Sequence, residues 1–322
     1  MAIMPKSIPE AIQRFDELYF EAIESATPTL YKATQLLHQQ TSKHIRPLLL
    51  TLVANCFAPV TDRIIRGSVF IELLHVSTLI HDDVVDESNL RRGVPSMNAI
   101  FDNQKAVLIG DYLLSSAMTQ AIELDNKTIL KYLALLGKNL SEGELLQMDT
   151  AELGDFSEER YLDIIDHKTA SLIEVSMQVG AVLAGQEDEK MQMAMRKAGN
   201  LLGRAFQIKD DIFDYLPSSK LGKPSGQDLR EHKVTLPLIY ALNCGGKQAE
   251  KVLKLLRHEQ LTREEVAYII DFSEKKGGIS YAQDQMTQMT EEAKSIFLDS
   301  LPDCQSRTAL LWVADYIINR DK

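Results

Sequence analysis

Residues 69–86 of this 322-residue chain read VFIELLHVSTLIHDDVVD. Val69, Leu73, Val76 and Ile80 recur at steps of four, three and four, the spacing of one apolar helix face. A second stripe, Ile71, His75, Thr78, Asp82 and Asp86, follows a neighbouring face and ends in an Asp-Asp-x-x-Asp pattern made by Asp82, Asp83 and Asp86. A long helix is therefore expected over 62–87. The acidic group is expected to close it, because 88–98 (SNLRRGVPSMN) has the Gly, Pro, Ser and Asn of a loop. Bare carboxylates are badly placed there. Like charges four residues apart cost a helix about 0.2–0.5 kcal/mol per pair, and each negative group near its C-terminus costs about 0.3–1 kcal/mol against the macrodipole. A bound cation would offset both costs.

The same pattern returns at 206–215, FQIKDDIFDY, with Asp210, Asp211 and Asp214. Leu202, Phe206, Asp210 and Asp214 form another four-residue stripe, and Gly199 and Gly203 would let a neighbouring helix approach closely. One such acidic cluster is common, but two in matching apolar frames point to Mg²⁺ ions and a phosphorylated substrate. Mg²⁺ is held by one or two carboxylates while phosphates and water complete its octahedron. The stretch 216–228, LPSSKLGKPSGQD, cannot continue a regular helix and has the length of a functional loop.

Outward from these motifs, Ile12, Phe15, Leu18 and Tyr19 have helical spacing, as do Leu30, Leu36 and Leu37 behind Thr27 and Pro28. Ile109, Leu113, Ala117 and Ala121 continue the pattern after the loop. Gly and Pro number only 16 and 10, and the rest is rich in good helix formers, so an all-α fold is expected. No composition shift marks a boundary, and a single domain over 1–322 is expected. A net charge of −11 argues against nucleic acid and anionic membrane as partners, so a phosphorylated substrate must be drawn by metal or by local cations. Cys56, Cys244 and Cys304 lack metal-ligand spacing and fit a reducing, cytoplasmic setting. No apolar signal core opens the chain, and no run of about 18 apolar residues is expected to cross a bilayer.

In order along the chain stand SKHIRP, LLHVSTLIHDDVVDESNLRRGVPSMN, AVLIGDYLLS, GELLQMD, HKTASL, GRAFQIKDDIFDY and LGKPSGQDLREHKVTLP. This ordered set, from Lys43 to Pro237, resembles the trans-isoprenyl diphosphate synthases, and within them the bacterial long-chain polyprenyl type. The resemblance implies a homodimer of single all-α bundles of the isoprenoid synthase type, each around a central cavity with the acidic motifs facing each other at its mouth. It also implies that an allylic diphosphate, farnesyl or geranyl, ionises on Mg²⁺ and is attacked by isopentenyl diphosphate. Asp82, Asp86 and Asp210 would be the metal ligands, with Asp83, Asp211 and Asp214 supporting them. Lys43, Arg46, His75 and Arg92 match the isopentenyl diphosphate site; Arg91, Lys168, Gln207 and Lys223 match the groups around the allylic diphosphate. Thr169, Gln147 and Lys233 fall in matching motifs but are equally explained by structural hydrogen bonds. The chain departs from the family pattern at Thr41 and Ser42, usually glycines, at His44, usually a basic residue, and at His232, usually a glycine.

In this family the residues four and five before the first Asp limit product length when they are bulky aromatics. Here they are Thr78 and Ser77, with Leu74 and Ile71 beneath, so a tunnel and a long product, octaprenyl by expectation, are implied. Three other readings are weaker. A terpene cyclase lacks the second DDxxD, a His-Asp phosphohydrolase built on His81-Asp82 leaves the second motif unexplained, and a non-catalytic subunit would show eroded motifs.

Overall fold

The structure, a computed structural model, describes residues 4–39, 44–91, 93–216, 226–258 and 260–320. Lys43, Arg92 and Lys223, with Thr41 and Ser42, lie outside the described residues. The chain divides into two compact units, one made of 1–136, 175–196 and 301–310, the other of 137–174, 197–300 and 311–322. The all-α expectation is met: among the described residues, strand structure is confined to one two-residue antiparallel pairing.

The first unit opens with α1 (Ser7–Ala22), α2 (Pro28–Gln39), α3 (Ile45–Asn55) and α4 (Asp62–Val85). Pro28 begins α2 as its spacing predicts. Helix α4 starts from an extended Thr61 and runs 24 residues, burying Val69, Phe70, Ile71, Leu73, Leu74 and Ile80 against α1, α3 and α6 (Asn103–Glu123). It is long and apolar enough, by length and composition only, to cross a membrane, with a mean hydropathy of 1.3 over its most apolar window. That window is interrupted by charged residues, and 67% of it is buried inside the protein, as in a core helix. Strands β1 (Leu90–Arg91) and β2 (Val94–Pro95) turn the chain after α4, and the short α5 (Met97–Phe101) leads into α6. The predicted stripe Ile109, Leu113, Ala117 and Ala121 is the buried face of α6.

Helix α7 (Lys127–Leu153) enters the second unit, which continues through α8 (Glu158–Ile165), a π-helical turn at Asp166–Ala170 and the start of α9 (Ser171–Leu183). Its centre is α10 (Glu189–Asp214), whose Ala205, Ile208 and Ile212 pack on Tyr161 and Ile165 of α8. Beyond α10 come α11 (Gln227–Arg230) and α12 (Leu236–Cys244), which adds Leu236 and Ile239 to that core. The helices α13 (Lys247–Leu255), α14 (Arg263–Lys275), α15 (Gly278–Ser300) and α16 (Gln305–Asn319) follow. The close approach expected at Gly203 and Gly199 is present: a Cβ on Gly203 would overlap Ala170 Cα, and one on Gly199 would lie 2.6 Å from Glu174 Cα. Side chains at either position would push the π-helical turn and α9 away from α10.

Candidate active site

Helix α4 stops where its sequence predicts, with Asp86 as C-cap donating its N–H to Asp82 O at 2.8 Å. The three carboxylates of this motif have different surroundings. Asp83 is buried at 3% exposure and accepts from Arg91 through Nε at 2.8 Å and through Nη2. Its carbonyl accepts from Ser88 N at 2.9 Å and Asn98 Nδ2 at 3.2 Å. Asp83 thereby ties the β1–β2 turn, and Arg91 on it, to the end of α4. Asp82 is half-buried and Asp86 exposed, one turn apart. The neighbouring His81 points elsewhere, its Nε2 at 3.3 Å from both Val107 O and Asp111 Oδ1 on α6, so the first unit gives no His81-Asp82 pair.

Two of the residues matched to isopentenyl diphosphate meet in the first unit: Arg46 Nη1 donates to His75 Nε2 at 3.1 Å. Beside them His44 Nδ1 lies 3.1 Å from Glu72 Oε1. Glu72 is 3% exposed. Burial pushes its carboxyl up, but the His44 hydrogen bond and the charges of His75, His44 and Arg46 outweigh burial and bring it down to about 2. His44, Glu72, His75, Asp83 and Arg91 all line one cavity of 720 Å³ bounded by α1, α2 and α4. His44 has φ 44°, a left-handed backbone.

In the second unit the middle Asp is again the buried one. Asp211, 3% exposed, accepts from Tyr161 Oη at 2.6 Å and from Gln207 Nε2 at 2.8 Å. Burial, with Asp210 and Asp214 nearby, raises it to about 7. Burial raises the Tyr161 phenol too, helped by Asp211. Asp214 accepts from the amides that open α11, Gln227 N at 2.8 Å and Asp228 N at 3.1 Å, so it anchors the chain returning from the 216–228 stretch. Asp210 is 41% exposed and pairs with Arg320 at 2.7 Å.

The π-helical turn presents Lys168 and Thr169 on opposite errands. Lys168 Nζ lies 2.6 Å from Glu144 Oε2 and 3.4 Å from Gln147 Oε1 on α7. Thr169 Oγ1 donates to Gln207 Oε1 at 2.8 Å, so Thr169, Gln207, Asp211 and Tyr161 form one chain of hydrogen bonds. Arg204, on α10, holds the turn through Asp166, which also receives Asn200 Nδ2 at 3.0 Å. π-turns are frequent at functional sites because they redirect side chains that a regular helix would stack. Lys233 pairs with Glu231 at 2.9 Å, and His232 before it has φ 58°. That left-handed φ is the physical reason a glycine suits position 232.

The residues fit Mg²⁺. Among the described residues no three His, Cys, Asp or Glu side chains gather as a metal cage. Mg²⁺ is ordinarily held by only one or two carboxylates plus substrate phosphates, and Asp82 with Asp86 supply two hard oxygen donors at a helix end. Of the proposed length-setting residues, Ser77 and Leu74 are 1% exposed and Thr78 half-buried, and both hydroxyls donate back into α4, to Leu74 O and His75 O at 2.8 Å.

Sequence reasoning missed four residues that hold this site: Glu72, Glu144, Tyr161 and Arg320. Glu72 carried a signal, a charged residue inside the apolar run VFIELL. Glu144 stood within the motif GELLQMD, though nothing local ties it to Lys168, 24 positions away; Tyr161 and Arg320 carried none, since their partners lie 50 and 110 positions away.

A family model described as polyprenyl synthetase matches residues 27–272. The chain is 35% identical over 310 residues to the all-trans-nonaprenyl-diphosphate synthase (geranyl-diphosphate specific) of Rhodobacter capsulatus, covering 95% of this chain and 93% of that protein. It is 33% identical to the geranylgeranyl diphosphate synthase of Sulfolobus acidocaldarius, with 97% of each covered, and 31% identical to the octaprenyl diphosphate synthase of Haemophilus influenzae, with 96% and 94% covered. Among solved structures, the polyprenyl synthase of Caulobacter crescentus, complexed with calcium and isoprenyl diphosphate, superposes with a TM-score of 0.90 at 30% identity, covering 98% of this chain and 96% of that one. The chain therefore belongs to the polyprenyl synthetase family of trans-isoprenyl diphosphate synthases and is a prenyltransferase of the all-helical isoprenoid synthase fold that lengthens prenyl chains.

Proposed function

We propose that this prenyltransferase condenses isopentenyl diphosphate head-to-tail onto farnesyl or geranyl diphosphate, with Mg²⁺, and repeats the step to octaprenyl length. The observation that carries the reading is a division of labour common to both acidic motifs. In each, the second Asp is buried and engaged by the protein's own donors, Asp83 by Arg91 and Asp211 by Tyr161 and Gln207. Asp82, Asp86 and Asp210 are more exposed than these two, Asp210 while also paired with Arg320. Asp82, Asp86 and Asp210 are thus the carboxylates suited to metal, and bound Mg²⁺ would neutralise charge on the leaving diphosphate.

The chain's own residues do the rest. Arg91, Lys168, Gln207 and Lys223 hold the allylic diphosphate; Arg46 and His75, with Lys43 and Arg92, hold isopentenyl diphosphate. Arg suits this task because its planar fork meets phosphate oxygens in pairs. The allylic C–O bond breaks, its electron pair leaves with diphosphate, the isopentenyl double bond attacks the allylic cation, and the released diphosphate takes the proton lost. Holding two apolar tails in line away from water supplies proximity, which is worth several kcal/mol of barrier. The small Ser77 and Thr78 support growth beyond geranylgeranyl, and the spread of product names among the relatives leaves these two residues as the argument for a long product.

The same reading places the enzyme in the cytoplasm as a homodimer. Three free cysteines support a reducing location. Leu108, Met118 and Ile122, exposed along α6 at 66%, 42% and 64%, support burial against a second copy. The test is prenyl transfer by Asp82→Ala and Asp210→Ala, each expected to lower kcat at least about 10²–10³-fold, the scale of losing one transition-state electrostatic contact. Near wild-type turnover in either variant contradicts the assignment.

A further inference from the structure

Three stretches far apart in the chain meet within the first unit: 4–7 at the start of α1, 55–56 at the end of α3, and 301–307 around the start of α16. Asn55 Nδ2 donates to Ser306 Oγ at 2.8 Å and to Ser7 Oγ at 3.3 Å, and Gln305 Nε2 donates to Met4 O at 3.2 Å. Arg307 braces the loop before α16, its Nη1 donating to Leu301 O at 3.0 Å and its Nη2 to Asp303. This junction holds two of the three cysteines. Cys56, the C-cap of α3, is 9% exposed, while Cys304, directly before α16, is half-buried and more open to solvent. Burial pushes the Cys56 thiol up, and Cys304 adds to the rise through charge and a side-chain hydrogen bond. The two side chains are therefore neighbours.

Capping does not account for sulfur at position 304. Cys304 Sγ accepts from Arg307 N at 3.5 Å, the bond from the third helical residue to the cap that Ser, Thr, Asp or Asn makes better. Sulfur is a weak acceptor. What a thiol offers there that a hydroxyl does not is oxidation, and a cysteine that is oxidised reversibly stands beside a second one. Cys56 meets that need: buried, it is shielded from direct attack, yet it adjoins the more accessible thiol.

The geometry points to a peroxide-oxidisable pair, in which Cys304 reacts first and Cys56 is the resolving thiol that closes a Cys56–Cys304 disulfide between α3 and α16. The Cys304 thiolate attacks one oxygen of hydrogen peroxide; the O–O bond breaks, hydroxide leaves and a sulfenic acid forms on Cys304. The Cys56 sulfur then attacks the Cys304 sulfur, the S–O bond breaks, and the hydroxyl leaves with the Cys56 proton as water. Two thiols are oxidised by two electrons and the peroxide is reduced to two waters. In a reducing setting such a disulfide is transient and redox-sensing. It would clamp the start of α16 to the end of α3, and it is independent of which prenyl substrates the enzyme takes.

The experiment treats the reduced full chain, carrying Cys244→Ser to remove the exposed third thiol, with hydrogen peroxide. Remaining thiols are alkylated, and the protein is run on a non-reducing denaturing gel and mapped as peptides by mass spectrometry. The expected result is joint loss of both thiols in a monomeric band, with one cross-linked peptide pair holding Cys56 and Cys304 that dithiothreitol separates. Adding Cys56→Ser, or Cys56→Ala if serine disturbs the fold, should leave Cys304 as a sulfenic acid that dimedone traps. Adding Cys304→Ser, whose hydroxyl keeps the cap, should slow oxidation of the buried Cys56 at least about tenfold. A sulfinic Cys304 beside a free Cys56, a cross-link between two chains, or both thiols intact at a peroxide dose that oxidises free glutathione overturns the proposal.

Discussion

Arg320 Nη2 lies 2.7 Å from Asp210 Oδ1, 110 residues away. The arginine is 7% exposed at its side chain, places its Cζ over the Phe206 ring 4.0 Å from the centroid, and also donates to Phe206 O at 3.1 Å. It fastens the residue after α16 to the half-buried first Asp of the second motif. A hydrogen bond to a charged group is worth about 1.5–3 kcal/mol. Arg320→Ala should therefore lower kcat/KM for prenyl transfer about 10–100-fold, with Arg320→Lys recovering part of the loss. Steady-state kinetics on both substrates checks this, and an unchanged kcat/KM in Arg320→Ala would show that Asp210 needs no such orientation.

The carboxylates of the second motif make stability pH-dependent. Burial raises Asp211 to about 7 and raises Asp214 and Asp228 as well. A carboxyl with a folded pKa above its unfolded one binds its proton more tightly in the native state. Its stabilisation is present in full below about pH 4 and is lost as pH rises towards 7. Metal-free protein should become less stable from pH 5 to 7.5, with up to about 1.4 kcal/mol per pH unit carried by Asp211. Urea unfolding in EDTA should show a shallower slope for Asp211→Asn, since the difference from wild type cancels the other groups. Equal slopes would remove Asp211 as the source.

Gly203→Ala sets helix propensity against packing. Alanine favours a helix by up to about 1 kcal/mol over glycine, but its Cβ would overlap Ala170 Cα, a backbone contact that no rotamer relieves. Overpacking of this kind costs about 1–3 kcal/mol. The variant should melt several degrees lower and lose activity, because the turn carrying Lys168 and Thr169 must move. Gly137→Ala on α7, with nothing within 4 Å of its Cβ, should instead be neutral or stabilising. Thermal melts of the pair decide the matter.

Thr78→Phe tests the length argument. Thr78 is half-buried one turn before Asp82, about 6 Å along the axis at 1.5 Å per residue. A phenyl group there should shorten the product to geranylgeranyl or below while the first condensation keeps its rate. An unaltered product distribution would show that chain length is set elsewhere.

The sequence made the helices legible because each reports its own faces: the stripes of α4, α6 and α10 and the close approach at Gly199 and Gly203 are visible as spacing. The end of α4 was legible too, from the Gly, Pro, Ser and Asn that follow Asp86. What spacing does not report is which side chain meets which across the fold. Asp83 with Arg91, eight residues apart, stood within one motif, yet nothing local shows that Asp83 is turned inward. Tyr161 with Asp211 and Arg320 with Asp210 depend on tertiary packing alone. The left-handed backbones at His44 and His232 were foreshadowed only as departures, since these residues leave no mark of φ in the sequence.

Purified protein incubated with Mg²⁺, labelled isopentenyl diphosphate and farnesyl diphosphate, followed by sizing of the dephosphorylated products, bears most directly on the account. The predicted result is a Mg²⁺-dependent ladder passing geranylgeranyl and ending near octaprenyl. No Mg²⁺-dependent product from farnesyl, geranyl or shorter allylic starters would contradict it.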